Sequence, residues 1–191
     1  RLGKRVLRPG GLALTQQLLN ALTITDDDRV VEFAPGLGVT ARLILGKAPR
    51  SYVGVERDVK AVQWAIRHLP QEQNASVTLG RADATSLPTE SASVVLGEAM
   101  LSMNTQEHKQ LIVAEAFRLL RPGGRYGIHE LCIVPDDMSP ASKQEIDRAL
   151  SSVIHVGARP LPTREWSELL QAAGFRIEQI GYAPMHLLRP R

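Results

Sequence analysis

Residues 29–40 read R-V-V-E-F-A-P-G-L-G-V-T, and this stretch joins a strand, a glycine turn and the start of a helix. Val30, Val31 and Phe33 predict a short buried strand, 30–33, which carries Glu32 near its end. The turn at 36–38 supplies two glycines, which let the backbone approach a ligand closely, and the helix start offers unpaired N–H groups. A carboxylate on this strand would repel a pyrophosphate and attract a cationic or hydroxyl-rich ligand. The stretch therefore predicts a site for a polar, nucleotide-like ligand.

The composition is that of one globular domain. The chain has 191 residues, of which 43% are hydrophobic, so it is long enough for a sizeable core. Its formal net charge of +3 is too small to indicate nucleic-acid binding by itself. The single cysteine, Cys132, excludes an internal disulfide and a cysteine-based metal cluster, and we expect no metal.

No apolar run approaches the roughly 20 residues that span a bilayer, and no signal-peptide pattern is present. These features predict a cytoplasmic protein without a membrane partner. Because the chain opens on Arg1 rather than Met, we expect further residues to precede it.

Strands and helices alternate along the whole chain, which favours a parallel sheet with helices on both faces. We therefore predict a doubly wound, mostly parallel, Rossmann-like α/β sheet of seven strands that ends in an antiparallel C-terminal hairpin. The predicted strands are 30–33, 52–56, 75–79, 93–96, 125–134, 175–182 and 185–188. The predicted helices are 12–22, 39–45, 58–69, 105–120, 141–153 and 163–173.

Two segments flank this core, within one predicted domain that covers residues 1–191. Residues 1–24 form an N-terminal arm and helix. Arg1–Arg8 is basic, and it is either a solvated arm or a flap that contacts a ligand or an anionic partner. Residues 135–162 are rich in Pro, Asp and Ser around a short helix, and we predict an insertion that covers the acceptor site at the top of the sheet.

Polar side chains at strand ends are the candidate site, because ligands bind beyond the carboxyl ends of parallel strands. One interpretation is a dinucleotide site. Gly36-x-Gly38-x-x-Ala41 matches the dinucleotide fingerprint, and Glu56 follows Gly36 by twenty residues, as a ribose-binding acid would. Glu32 argues against this interpretation, because the dinucleotide strand normally runs apolar into its first glycine. A nicotinamide-dependent oxidoreductase nevertheless remains an alternative.

Four motifs in register favour another ligand. They are E-F-A-P-G-L-G at 32–38, V-G-V-E at 53–56, G-R-A-D-A at 80–84 and L-R-P-G-G at 120–124. In their order and spacing the chain resembles the class I S-adenosylmethionine-dependent methyltransferases, over about residues 18–182. The set looks most like the small-molecule branch that includes quinone-biosynthesis enzymes. The Ala34-Pro35 pair departs from the commoner family pattern and stiffens the loop.

The resemblance implies S-adenosylmethionine as cofactor and a role for each motif. Glu32 would favour the cofactor's ammonium group or a bound water, and Glu56 would accept both ribose hydroxyls. Asp83 would accept the adenine amino group, while the Ala84 N–H would face a ring nitrogen. The full implied cofactor set is Glu32, Ala34, Gly36, Leu37, Gly38, Glu56, Arg57, Asp83, Ala84 and Glu98.

The implied reaction is in-line transfer of a methyl group to an O, N or C atom of a small-molecule acceptor. The donor is already activated, so the protein mainly supplies positioning and exclusion of water. A phenol, carboxylic acid or carbon acid would also need a general base. The candidate bases are Glu98, His129, Glu130 and His155.

Residues 97–100 read G-E-A-M, where many nucleic-acid amino methyltransferases carry an Asn/Asp-Pro-Pro-aromatic run, which disfavours a nucleic-acid partner. Two further hypotheses stay open beside the oxidoreductase. One is a non-catalytic domain that binds S-adenosylmethionine. The other is an RNA methyltransferase aided by the basic arm. The sequence leaves the oligomeric state and the acceptor atom undetermined.

Overall fold

The computed structural model of the protein describes residues 10–69, 74–154 and 157–184. The strands are β1 Arg29–Phe33, β2 Ser51–Glu56, β3 Ala75–Leu79, β4 Ala92–Glu98, β5 Leu120–His129, β6 Cys132–Ile133 and β7 Leu161–Pro162. The helices are α1 Gly11–Ala21, α2 Val39–Leu45, α3 Val59–His68, α4 Gln106–Leu119, α5 Pro140–Ile154 and α6 Thr163–Ala172, with a 3₁₀ turn at Leu101–Met103. The predicted helices are all present, within two residues at each end.

Five parallel strands form the main sheet, in the order β3-β2-β1-β4-β5. The chain winds outward from β1 through β2 and β3, then crosses back and places β4 on the other side of β1. The carboxyl ends of β1 and β4 therefore meet at the switch point, where ligands of doubly wound sheets bind.

Helices cover both faces of the sheet, so its central strands β1 and β4 are buried over almost their whole length. Side chains alternate between two buried clusters along β1. Val30 packs with residues of α1, α2 and α3, whereas Val31 and Phe33 pack with residues of α4 and α6. This arrangement confirms the predicted doubly wound α/β fold.

The L-R-P-G-G motif is a bulge at the start of β5. Ala92 pairs with Leu120, but Val94, only two residues later, pairs with Arg125. Gly124 is required in this bulge, because a Cβ there would lie 2.8 Å from the Leu120 Cδ2 and 2.9 Å from the Arg121 carbonyl oxygen. The predicted fifth strand, 125–134, is therefore corrected: β5 begins five residues earlier and ends at His129.

The C-terminal prediction is also corrected, because the main sheet has five strands and residues 175–184 form neither strand nor helix. A cleft of about 1130 Å³ is lined by both β5 and residues 174–182. The Phe175 ring centroid lies 5.2 Å from those of Phe117 and Tyr126. Side-chain packing rather than a backbone ladder thus holds this segment. The second predicted strand of the hairpin, 185–188, lies outside the described residues.

The insertion leaves and rejoins the main fold through a separate ladder, in which β6 pairs in parallel with β7. Its returning segment is tied to the carboxyl end of β4. The Arg159 N–H donates to the Ser102 carbonyl at 2.7 Å, and the Lys109 Nζ donates to the Arg159 carbonyl at 2.6 Å. Burial lowers the pKa of Lys109.

Within the described part of the chain, no helix combines the length and the apolar character needed to cross a bilayer.

Candidate active site

The glycine turn after β1 leaves open space on one side. Gly36 has φ +54°, and a Cβ at this position would meet no other protein atom within 4 Å. Gly38 has φ +67°, and a Cβ there would lie 2.7 Å from the Leu69 Cδ2. Gly38 is therefore needed for packing inside the protein, whereas Gly36 leaves room for a ligand to approach the backbone.

Glu56 holds the turn from the end of β2. Its Oε2 accepts the Gly36 N–H at 3.1 Å, and its Oε1 accepts the Asp58 N–H at 3.0 Å. Each carboxylate oxygen has two lone pairs, so both oxygens can still accept a hydroxyl donor. The predicted ribose acceptor thus lies beside the glycine turn, as the sequence indicated.

Glu32 has a buried hydrogen-bond partner that the sequence analysis did not identify. The Tyr52 hydroxyl donates to the Glu32 Oε2 at 2.7 Å, and only 1% of Tyr52 and 4% of Glu32 are exposed. Burial, together with the negative charge of Glu32, raises the pKa of Tyr52 well above its ordinary value. The available signal was the period of two along β2, which puts Tyr52, Gly54 and Glu56 on one face.

Asp83 lies in the loop after β3 and is paired with Arg81. The Arg81 Nε donates to the Asp83 Oδ1 at 2.9 Å, and its Nη2 donates to the Oδ2. These hydrogen bonds and the charge of Arg81 hold the pKa of Asp83 below its ordinary value, although partial burial raises it. The Ala84 N–H donates to the Arg81 carbonyl at 3.1 Å, so it is turned into its own loop rather than toward a ligand.

A buried cluster joins the carboxyl ends of β4 and β5 to two helices. The Glu98 Oε2 lies 3.0 Å from the His129 Nδ1 and accepts the Thr15 hydroxyl at 2.7 Å, while its Oε1 accepts the Thr40 hydroxyl at 2.9 Å. Only 5% of the Glu98 side chain and 1% of the His129 side chain are exposed. The structure thus brings together two of the four predicted bases, together with threonines of α1 and α2 that sequence reasoning did not single out.

Glu130 is engaged by the 3₁₀ turn that follows β4. Its Oε1 accepts the N–H groups of Met100 and Leu101, and its Oε2 accepts the N–H and the hydroxyl of Ser102, all at 2.7–3.0 Å. Burial raises the pKa of Glu130 even though these donors lower it. Four donors on one carboxylate favour a structural role. The fourth predicted base, His155, lies outside the described residues.

The remaining predicted cofactor residues border the same region. Ala34 follows β1 with φ +53°, and its N–H donates to the Val55 carbonyl at 2.8 Å. Leu37 is 55% exposed at the tip of the glycine turn, and Arg57 is exposed just after Glu56.

Comparison of the chain with known proteins shows the family to which it belongs. Residues 30–124, which run from β1 to the bulge of β5, match the methyltransferase domain family. An S-adenosylmethionine-dependent methyltransferase from Mesorhizobium loti has the same fold, with a TM-score of 0.76 and 17% identity, over 92% of this chain and 87% of that one. This chain is a class I S-adenosylmethionine-dependent methyltransferase.

Two relatives are similar to this methyltransferase in sequence. An uncharacterized protein of Haemophilus influenzae is 33% identical over the whole chain, which covers 75% of that protein. Acetylserotonin O-methyltransferase of Gallus gallus is 26% identical over 86% of the chain, but the chain spans only 47% of that enzyme's length. The predicted quinone-biosynthesis branch is not confirmed by these relatives.

The site residues of the methyltransferase fit its cofactor, S-adenosylmethionine. The space beside Gly36 would be filled by a side chain at any other residue type, and the Glu56 carboxylate lies next to that space. The carboxylates of Glu32 and Glu56, near the ends of β1 and β2, suit a ligand that carries hydroxyl groups and an ammonium group. The family assignment also favours a methyltransferase over the oxidoreductase alternative.

Proposed function

We propose that this methyltransferase transfers a methyl group to a hydroxyl oxygen of a small molecule, with His129 as the proton acceptor. The supporting observation is the buried contact of 3.0 Å between the His129 Nδ1 and the Glu98 carboxylate at the ends of β4 and β5. The similarity to an enzyme named as an O-methyltransferase favours oxygen over nitrogen or carbon.

Cofactor binding is assigned to the carboxyl ends of β1 and β2 and to the loop after β3. When bound, S-adenosylmethionine supplies a methyl group that is already activated on a sulfonium. Glu56 would accept the ribose hydroxyls, Asp83 the adenine amino group, and Glu32 would face the ammonium end. Asp83 can take this role only if it shares its oxygens with Arg81, because both of them accept from that guanidinium.

The hydrogen bond to Glu98 prepares His129 to remove a proton. An ionised carboxylate has no proton to donate, so the Nδ1 carries the hydrogen of the bond and the Nε2 is the basic nitrogen of the ring. When the Nε2 takes the proton of the acceptor hydroxyl, the adjacent carboxylate stabilises the imidazolium that forms. Glu98 thus orients the base, and Glu130 supports the turn beside it.

The insertion is assigned to the acceptor side of this single domain. Its returning segment is hydrogen-bonded to Ser102 in the 3₁₀ turn after β4 and to Lys109 in the first turns of α4. Ser102 follows Glu98, the last residue of β4, by four positions. A segment held there would exclude water from the acceptor, as methyl transfer requires. An RNA acceptor remains a hypothesis, since the basic arm on which it depends lies outside the described residues.

The test compares His129→Gln with the parent enzyme on substituted phenols whose pKa values range from below to above the assay pH. We expect kcat to fall about 100-fold for the weakly acidic phenols, the lower end of typical general-base effects. Phenols that are already ionised should lose much less, because they need no base. His68→Gln, which changes an exposed histidine at the end of α3, is the matched control and should retain activity.

An equal loss of kcat across the whole phenol series would contradict the base role. That result would indicate that His129 and Glu98 only anchor α1 to the sheet. Turnover of amines or carbon acids but of no phenol or alcohol would contradict the oxygen acceptor and leave the methyltransferase assignment intact.

A further inference from the structure

We infer that Tyr52 is a positioning residue of the cofactor site, whose hydroxyl holds the Glu32 carboxylate toward the ammonium end of S-adenosylmethionine. The inference rests on the cofactor role proposed for Glu32. It adds a residue that lies outside the four family motifs, since Tyr52 is one position before V-G-V-E.

The parallel pairing of β1 with β2 places the two side chains on one face of the sheet. Val30 is paired with Tyr52, and Glu32 is paired with Gly54. Tyr52 and Glu32 therefore lie diagonally across the two strands, and the tyrosine side chain has to pass Gly54 to reach the carboxylate. The observed distance of 2.7 Å shows that it does so.

Gly54 provides the space for this contact. A Cβ at Gly54 would lie 3.1 Å from the Tyr52 hydroxyl oxygen, 3.0 Å from the Pro35 Cγ and 3.2 Å from the Val77 Cγ2. The space that a side chain at Gly54 would occupy is thus filled by the Tyr52 hydroxyl on one side and by Pro35 of the glycine turn on another. Tyr52, Gly54 and Pro35 form one packed unit beside Glu32.

This unit links the acid of β1 to the turn that follows it. The Ala34 N–H donates to the Val55 carbonyl, and the Gly36 N–H donates to the Glu56 carboxylate. Tyr52, Gly54 and Glu56 lie on one face of β2 and act on β1 and its turn. The Tyr52 hydroxyl donates to Glu32, Gly54 leaves space for that contact, and Glu56 accepts the Gly36 N–H.

The chemistry of the pair suits a cation-binding acid. A phenol hydroxyl donates a hydrogen bond that favours the ionised form of a carboxylate. Because its own pKa is raised by burial and by the charge of Glu32, Tyr52 remains a donor throughout the neutral range. This hydrogen bond orients the Glu32 carboxylate and favours its ionised form, which is the form that binds an ammonium group.

The experiment measures two ligands by calorimetry. S-adenosylhomocysteine carries the amino-acid end, whereas 5′-methylthioadenosine has the same adenosine part without it. For Tyr52→Phe we expect the dissociation constant of S-adenosylhomocysteine to rise about tenfold, as for the loss of a hydrogen bond to a charged group. The constant for 5′-methylthioadenosine should change less than about twofold, since only the amino-acid end is affected.

Tyr126→Phe is the matched control. Tyr126 is partly buried and its hydroxyl oxygen is fully buried, but that hydroxyl has no hydrogen-bond partner among the described residues, so its removal should leave both constants unchanged. Gly54→Ala reaches the same unit from the other side by displacing the Tyr52 hydroxyl. It should likewise raise the dissociation constant of S-adenosylhomocysteine more than that of 5′-methylthioadenosine. It provides the test if Tyr52→Phe does not fold.

Equal weakening of both ligands, or no change in either, would overturn the inference. Glu32→Gln separates it from the proposal on which it rests. If Glu32→Gln weakens S-adenosylhomocysteine selectively and Tyr52→Phe does not, Glu32 keeps its role and Tyr52 loses it. If Glu32→Gln shows no selectivity, the role of Glu32 fails and the inference fails with it. If both are selective, the double variant should be no weaker than Glu32→Gln alone.

Discussion

At the scale of residues, the carboxylates at the strand ends differ in how many hydrogen-bond donors of the protein they already accept. Glu56 accepts one backbone N–H on each oxygen and retains acceptor capacity for a ligand. Glu130 accepts four donors from one turn. The sequence predicted Glu56 correctly at a strand end, whereas the predicted strand 125–134 ran past Glu130, which follows the end of β5. The sequence also does not reveal which acid a distant turn, such as the one at Leu101–Met103, will engage. Contacts such as Tyr52 with Glu32 are invisible for the same reason, because they depend on strand pairing.

The first prediction concerns Glu130→Gln. The amide nitrogen of glutamine would face N–H donors, so we expect the free energy of unfolding to fall by about 1–3 kcal/mol. For the folded enzyme, kcat should fall less than about tenfold, well short of a general-base effect. Urea unfolding and initial rates measure the two quantities, and Glu178→Gln, an exposed acid, is the control.

An unchanged free energy of unfolding with a kcat reduced 100-fold or more, the size of a general-base effect, would contradict the structural role of Glu130. That outcome would return it to the list of candidate bases.

At the scale of elements, the helices and strands that follow from a local sequence pattern could be predicted. The elements whose conformation depends on packing against a distant part of the chain could not. The amphipathic helices, the buried strands β1, β2 and β4 and the more exposed strand β3 follow from local sequence pattern. The bulge of β5 and the segment at 175–182 do not. The alternation at 175–182 is compatible with a strand, but its Phe175 ring packs on Phe117 and Tyr126 instead of the backbone pairing with β5.

The bulge is tested by Gly124→Ala. Its Cβ would overlap the Leu120 side chain and the Arg121 carbonyl, so we expect about 1–3 kcal/mol of destabilisation from overpacking. Gly46→Ala is the matched control, because Gly46 has φ −62° and ordinary contacts of 3.4 and 3.5 Å at its Cβ position. That change should be neutral or stabilise the protein by up to about 1 kcal/mol. Equal unfolding free energies for the two variants would contradict the steric account of the motif.

At the scale of the whole molecule, the doubly wound sheet explains why distant motifs form one site. Parallel strands share a carboxyl edge, so acids that are separated by up to 66 positions, from Glu32 to Glu98, end at the same side of the sheet. This part of the site could be predicted from spacing and topology alone. The acceptor pocket could not, because the insertion that we propose to border it has no motif and is held by long-range contacts such as Lys109 with Arg159.

The most direct test of the central claim, a cofactor site at the carboxyl ends of β1 and β2, is a calorimetric titration with S-adenosylhomocysteine, with NAD as the control ligand. We expect micromolar binding of S-adenosylhomocysteine and no binding of NAD. Glu56→Ala should weaken that binding at least about tenfold through the lost charged acceptor. Asp27→Ala, which removes an exposed acid just before the amino end of β1, should leave this affinity unchanged. Binding of NAD alone, or equal affinity of the parent and Glu56→Ala for S-adenosylhomocysteine, would contradict the account.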